Sequence, residues 1–109
     1  MKKLTLYCSD CNPPKHTGNR QTASGDVATA GYTVSFDKSL YDIHKNKRIL
    51  LKIYDKTGKK VIASHMPYIQ DFHTEGPNII DFYIGERNKN QCDCRYHEWS
   101  GKPCSYEFL

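Results

Sequence analysis

NIIDFYI (residues 78–84) has the pattern of a half-buried β-strand. Successive side chains of a strand point to opposite faces, so Ile80, Phe82 and Ile84 share one face and Asp81 lies on the other. An aspartate on the outer face of a strand is usually exposed to solvent, and a place in a binding cleft is the alternative. Alternation therefore predicts the strand and leaves both interpretations of Asp81 open.

Five further stretches combine β-branched and aromatic residues between Gly, Pro, Asn or Lys-rich segments. They are LTLYC (4–8), YTVSF (32–36), RILLKIY (48–54), KVIASHM (60–66) and CSYEFL (104–109). Two glycine-containing stretches, DKTGK (55–59) and SGKP (100–103), predict short hairpin turns. No helix longer than a turn or two is expected. The sequence therefore predicts an all-β protein.

The length and composition indicate one folded domain that covers residues 1–109. Hydrophobic residues make up 38% of the chain and charged residues 26%, which is enough apolar material for a modest core. The net charge of +4 comes from short, scattered clusters rather than from one dense stripe, and no nucleic-acid-binding motif accompanies them. Binding to nucleic acid is therefore not expected.

The first residues, MKKLTLYC (1–8), resemble a lipoprotein signal only superficially. Four residues separate Lys3 from Cys8, whereas the apolar region of a signal peptide needs at least about 7. No apolar run is long enough to cross a membrane. We expect no signal peptide and no membrane insertion.

A long polar segment (9–31) lies between the first two predicted strands. Connections of this length are uncommon in small domains, and those that occur often carry binding or catalytic residues. The sequence therefore favours a binding or active-site role for this segment.

The five cysteines lie towards the two ends of the chain. They are Cys8, Cys11, Cys92, Cys94 and Cys104. Cys8, Cys11, Cys92 and Cys94, with His97 nearby, have the ligand types of a structural zinc site, although the second spacing is atypical. Disulfides and reduced, inert thiols are the alternatives. At least one cysteine must stay unpaired within a monomer.

Taken together, four stretches resemble the three-Asp (3D) domain in order and spacing. They are LTLYCSDC (4–11), HTGNRQTASGDVATAGYTVSFD (16–37), YIQDFHTEGPNIIDFYIG (68–85) and WSGKPCSYEFL (99–109). This domain is related to the barrel of the membrane-bound lytic transglycosylase A family and, more distantly, to rare lipoprotein A and expansins. The three signature aspartates match Asp37, Asp71 and Asp81. The chain departs from the family pattern after Asp71, where Phe72-His73 replaces Thr-Gly and Glu75 replaces a lysine.

The resemblance implies a six-stranded double-psi β-barrel and an enzyme that cleaves the MurNAc-GlcNAc glycan of peptidoglycan without a cofactor. In such enzymes an aspartate first acts as an acid and then as a base toward the C6 hydroxyl of the same sugar, which gives a 1,6-anhydro product. We expect Asp71 to be this acid/base, with Asp81 and Asp37 orienting it or stabilising positive charge. Further candidates for substrate contacts are Tyr83, His73, Glu75, Thr22 and Ser24, with Tyr32 and Trp99 as possible stacking surfaces.

Under this interpretation the partner is a peptidoglycan glycan strand and the protein acts as a monomer. The site of action is the cell wall or periplasm after delivery by another route, as for a phage lysis protein or a secreted effector. Because the family uses no catalytic metal, structural bonds among the cysteines are preferred over zinc. Two alternatives stay open: a non-catalytic glycan-binding barrel, and an interaction protein stapled by zinc.

Overall fold

The computed structural model describes residues 1–7, 22–85 and 94–109. The described elements, in chain order, are β1 (Lys2–Tyr7), β2 (Thr33–Asp37), α1 (Lys38–His44), β3 (Ile49–Tyr54), β4 (Val61–His65), β5 (Tyr68–His73), β6 (Ile79–Tyr83), a 3₁₀ helix (Cys94–Trp99) and β7 (Pro103–Phe108). Within these ranges no helix has both the length and the apolar character needed to cross a membrane.

The seven strands form one mixed sheet in the order β4-β3-β7-β1-β6-β2-β5. β1 pairs in parallel with β6, and β2 pairs in parallel with β5, whereas β2 and β6 are antiparallel. The all-β prediction is confirmed. The strand ladders of the described residues do not close into a barrel, so the six-stranded double-psi barrel stays a prediction.

All six predicted strands are present, with ends that differ by one or two residues. The hairpin turn at 55–59 is also present, because Gly58 has a positive φ of 76° and the Asp55 carboxylate accepts hydrogen bonds from Thr57. The second predicted hairpin is wrong. SGKP joins the 3₁₀ helix to β7 rather than one strand to another.

Strand β5 was not predicted from the sequence, because a bulge interrupts its alternating pattern. β5 pairs with β2 with Val34 opposite Ile69 and Ser35 opposite Asp71, so that Gln70 is an extra residue without an opposite partner. Such a bulge re-aims the side chains that follow it. Ile69 consequently packs in the core with Val34, while Asp71, two residues later, lies on the opposite face with Ser35.

Helix α1 has seven residues, which is about two turns. Its N-cap is Asp37, whose Oδ2 accepts hydrogen bonds from the Ser39 amide at 3.3 Å and the Ser39 hydroxyl at 2.6 Å. The helix packs on β5 and β2 and buries Tyr41. The first signature aspartate thus ends a strand and starts a helix.

Most of the core is built from alternate residues of the strands on one face of the sheet, and Tyr83 is buried on the face that also carries Asp81. The largest fully buried aliphatic and aromatic side chains are Leu4, Val34, Phe36, Ile49, Leu51, Ile53, Ile69, Ile80, Phe82, Tyr83 and Ile84. The prediction that Ile80, Phe82 and Ile84 share a buried face is confirmed. This packing fixes the four adjacent strands β1, β6, β2 and β5, whose other face carries the polar residues described next.

Candidate active site

Four polar side chains form a row across the central strands. Thr5 on β1 lies opposite Asp81 on β6, Asp81 lies opposite Ser35 on β2, and Ser35 lies opposite Asp71 on β5. Asp71 and Asp81 are therefore separated by two strand spacings, roughly 10 Å between Cα atoms, with Ser35 between them. The register of the sheet, rather than a flexible loop, brings the two carboxyl groups to one place.

This row lines a surface pocket of about 450 Å³. The described residues that line it are Thr5, Leu6, Tyr7, Ser35, Asp71, Phe72, His73, Glu75 and Asp81. The two predicted catalytic residues Asp71 and Asp81 thus share one pocket.

Asp71 is 5% exposed and is held by several hydrogen-bond donors. Its Oδ1 accepts from the Phe72 amide at 3.1 Å and the Ala23 amide at 3.3 Å, and its Oδ2 accepts from the Tyr7 hydroxyl at 3.4 Å. These hydrogen bonds fix the orientation of the Asp71 carboxyl group. Asp71 was expected in a loop, but it lies within β5.

A turn from Thr22 to Gly25 supplies one of these donors. The Gly25 amide donates to the Thr22 carbonyl at 3.0 Å, and the Ser24 amide donates to the carbonyl of the bulged Gln70 at 3.1 Å. The turn therefore points the Ala23 amide at Asp71. Thr22 and Ser24 were predicted to bind substrate, but neither lies among the pocket-lining residues, and their hydroxyls are 3.0 Å apart within the turn. Both residues belong to the turn whose Ala23 amide contacts Asp71.

Asp81 has a different environment from Asp71. Burial raises the pKa of Asp81 to about 6, and a hydrogen bond from Thr5 Oγ1 to Asp81 Oδ1, at 2.8 Å, opposes this rise. The negative charges of Glu75 and Asp71 raise the pKa of Asp81 further. A carboxyl group with such a pKa can hold a proton at mildly acidic pH and release it near neutrality.

Asp37 does not line the pocket with the other two aspartates. Besides capping α1, its Oδ1 accepts a hydrogen bond from the Gly76 amide at 3.1 Å. The Ser39 hydroxyl is the main cause that lowers the pKa of Asp37. The expectation that all three carboxyl groups line one groove therefore holds for Asp71 and Asp81 only, and Asp37 fixes the loop that carries Glu75.

We expect Asp37→Ala to lower the thermal midpoint at pH 7 by a few degrees, because the helix cap and the Gly76 contact are both lost. Asp37→Asn should lower it less, since asparagine is also a good N-cap. The lowered pKa of Asp37 means that its charged form stabilises the fold above about pH 4, and that this contribution is lost as the pH falls further. Thermal unfolding of both variants from pH 3 to 7 checks this, and equal midpoints for the wild-type protein and Asp37→Ala at pH 7 would contradict it.

His73 and Glu75 both line the pocket, as expected for substrate-contacting residues. His73 Nδ1 accepts from the Glu75 amide at 3.1 Å, which leaves Nε2 as the protonated nitrogen that donates to the Ile79 carbonyl at 2.9 Å. Both ring nitrogens are thus used within the chain. His73 shapes the pocket wall, while the exposed Glu75 side chain adds negative charge at its rim.

The aromatic candidates lie in three different settings. Tyr83 is fully buried and packs edge-on against Tyr7, so the structure contradicts a stacking role for it. Trp99 is also buried, against His65 and Phe82. Tyr32 is 51% exposed and does not line the pocket with the two aspartates.

The cysteine predictions fall largely outside the described residues. Cys8, Cys11 and Cys92 lie outside the described residues, as do the side chains of Cys94 and His97. Cys104 is a free, buried thiol, and its burial raises its pKa to about 12. Residues 1–7, 22–85 and 94–109 contain no group of His, Cys, Asp or Glu side chains arranged to hold a metal ion.

Five residues that line the pocket were not predicted as site residues: Thr5, Leu6, Tyr7, Ser35 and Phe72. Thr5 and Tyr7 reach the aspartates only because β1 pairs in parallel with β6, a long-range pairing that strand patterns do not specify. Ser35 could have been found, because it shares its face of β2 with Asp37.

The chain matches no protein-family model and no curated protein. The functional interpretation therefore depends on the pocket and on the resemblance of its aspartates to the three-Asp pattern.

Proposed function

We propose that this protein is a peptidoglycan-cleaving enzyme of the lytic transglycosylase type. The observation that carries the proposal is the pairing of two carboxyl groups in one pocket: Asp81, whose pKa is raised by burial, and Asp71, whose orientation is fixed by hydrogen bonds. Cleavage of a glycosidic bond needs an acid for the leaving oxygen and a negative charge beside the developing oxocarbenium ion. Two carboxyl groups in different surroundings can divide these roles, one as the acid and the other as the negative charge.

We also propose that the sheet is the double-psi β-barrel of the three-Asp domains. One contact supports closure: Arg48, just before β3, forms an isolated bridge with Tyr68 at the start of β5. The Ile49 amide donates to the Pro67 carbonyl at 3.0 Å beside it. These contacts bring the β5 edge alongside the start of β3, which would complete a ring of six strands with β4 outside it.

Asp81 fits the role of the proton donor better than Asp71, which was expected to be the acid/base because the sequence predicted it in a loop at a strand end. Its raised pKa lets it carry a proton at mildly acidic pH, whereas Asp71 is oriented by donors from two backbone amides and a tyrosine hydroxyl. Asp71 then supplies the negative charge that stabilises the transition state. Ser35 forms the floor between them.

In the proposed reaction, Asp81 donates its proton to the glycosidic oxygen and the bond from that oxygen to C1 of the MurNAc residue breaks. The positive charge at C1 lies beside the Asp71 carboxylate. The Asp81 carboxylate then accepts the proton of the C6 hydroxyl of the same sugar, and the C6 oxygen forms the new bond to C1. The proton count balances and no water is consumed.

Product analysis tests this proposal. Purified protein incubated with peptidoglycan should release muropeptides that end in a 1,6-anhydro ring and are lighter by one water than hydrolysis products, as measured by mass spectrometry. Glycan that stays bound and uncut would instead favour the non-catalytic binding barrel. The exposed ring of Phe72 beside the pocket, where the family pattern has threonine, would then be the first residue to replace.

Thr5→Val should change the pKa of the proposed acid, Asp81, while its carboxyl group is kept. The hydroxyl of Thr5 stabilises the charged form of Asp81, so its loss should raise the pKa of Asp81 further. A hydrogen bond to a charged group is typically worth about 1.5 kcal/mol or more, which corresponds to about one pH unit. We expect the alkaline limb of kcat/KM against pH, near pH 6 in the wild-type protein, to move upward by about one unit. An unchanged limb would mean that another group titrates there.

A further inference from the structure

A second cluster, made of the exposed Tyr32 and the half-buried Tyr68 and Arg48, lies at the beginning of the two strands that carry Ser35 and Asp71. The rings of Tyr32 and Tyr68 stack with centroids 5.9 Å apart and planes inclined by 16°. The guanidinium carbon of Arg48 lies 5.1 Å from the Tyr68 centroid and 5.9 Å from the Tyr32 centroid. We call these three residues the tyrosine platform.

The backbone holds the platform in place. The Tyr68 amide donates to the Tyr32 carbonyl at 2.8 Å, and the Arg48 Nε donates to the Met66 carbonyl at 2.8 Å. Tyr32 follows a turn in which Gly31 has a φ of 78°, and a Cβ at this position would lie 2.9 Å from the Tyr96 hydroxyl. Because the rings are ordered before any ligand arrives, binding would cost little side-chain entropy.

The chemistry of the platform matches that of a pyranose ring. An N-acetylhexosamine has flat C–H faces, which fit an exposed aromatic ring, and a rim of hydroxyl and amide groups, which fit phenol hydroxyls and a guanidinium. A nucleobase could also stack on tyrosine, but single-stranded nucleic acid binding requires a positively charged groove as well. The scattered lysines of this chain and the single arginine of the platform favour the neutral sugar.

We infer that the tyrosine platform is a second sugar-binding subsite, which holds an N-acetylhexosamine unit of the same glycan strand whose bond lies in the pocket. Three residues of β2 or β5, roughly 10 Å of strand, separate the platform from the row that contains Ser35 and Asp71. A polymeric glycan can reach both sites, whereas a disaccharide cannot. This inference rests on the proposed function for its choice of ligand.

Nuclear magnetic resonance titration with a tetrasaccharide of alternating GlcNAc and MurNAc units, at pH 8 where Asp81 is ionised and does not cut, tests the subsite. The rings of Tyr32 and Tyr68 should shift on addition of the tetrasaccharide, and Tyr32→Ala should weaken binding by about tenfold. Tyr32→Phe should bind almost as tightly as the wild-type protein, because the ring is kept. Phe108→Ala is the matched control, since Phe108 is similarly exposed at the end of β7 and should not change the affinity.

The titration separates this inference from the proposed function. Shifts confined to residues around Asp71 and Asp81 would overturn the subsite and leave the proposed function standing. Shifts at the platform with none at the pocket would keep the subsite and overturn the proposed function. No shift at either place would overturn both. Tighter binding to a thymidine oligonucleotide, weakened by Tyr32→Ala, would identify the platform as a nucleobase site and overturn the inference.

Discussion

Replacing Asp81 by asparagine is expected to lower the rate of glycan cleavage by on the order of 10²-fold or more, the typical contribution of acid–base catalysis. The amide keeps the shape of the side chain, and its group can still meet the Thr5 hydroxyl, but it has no proton to donate to the glycosidic oxygen. The rate of muropeptide release from purified peptidoglycan measures this loss.

Two matched aspartate variants show whether the loss is specific to the acid. Asp37→Asn should slow cleavage far less, because Asp37 lies outside the lining of the pocket. Asp71→Asn should also slow cleavage. Its plot of kcat/KM against pH should keep the alkaline limb, moved to lower pH, because the charge of Asp71 raises the pKa of Asp81. If Asp71→Asn removed the limb altogether and Asp81→Asn kept it, the roles of the two residues would be reversed.

Asp81→Asn is also expected to stabilise the folded protein at pH 8. The pKa of Asp81 rises from 3.8 to about 6 on folding, mainly because burial penalises the charged form. Below about pH 4 both states hold the proton and no penalty exists; as the pH rises through 6, folded Asp81 ionises at a cost and stability falls. Asparagine avoids this cost. The gain should be on the order of 2 kcal/mol at pH 8, after allowance for the partial exposure of the side chain, and should vanish near pH 4.

Denaturant unfolding of both proteins between pH 4 and 8 measures this gain. Asp42→Asn is the control, because Asp42 is an exposed residue of α1 in a surface ion pair with Lys38, at 2.9 Å, and such pairs contribute little. A gain for Asp81→Asn that does not depend on pH would show that burial of the charge is not its cause. Lost activity together with gained stability is the pattern of a residue kept for function.

The strands with regular alternation could be predicted from the sequence, and the strand with a bulge could not. β3 shows a clean period of two, and β6 alternates from Ile79 to Phe82, so the position of β6 and the face that carries Asp81 follow from the pattern. β5 contains Gln70, Asp71 and His73, which are uncommon in strands, and its bulge breaks the period at Gln70. Because the bulge breaks the alternating pattern, the strand was not predicted from the sequence. The same bulge turns Asp71 towards the pocket.

The identity of the two pocket aspartates could be predicted, whereas their division of roles could not. Burial and contacts set the pKa of a carboxyl group, and both depend on which strands are neighbours. Thr5 and Asp81 are 76 positions apart in the chain and meet through a parallel pairing. Likewise, Thr22 and Ser24 belong to the motif that resembles the family, but only the structure shows that their turn presents a backbone amide to Asp71.

Digestion of peptidoglycan in oxygen-18-labelled water tests the central claim most directly. The account predicts that the wild-type protein releases 1,6-anhydro products without the label, because the new bond to C1 comes from the C6 oxygen of the same sugar, and that Asp81→Asn releases almost none. Products with a labelled reducing end would show that water is the nucleophile. That result would contradict the assignment as a lytic transglycosylase.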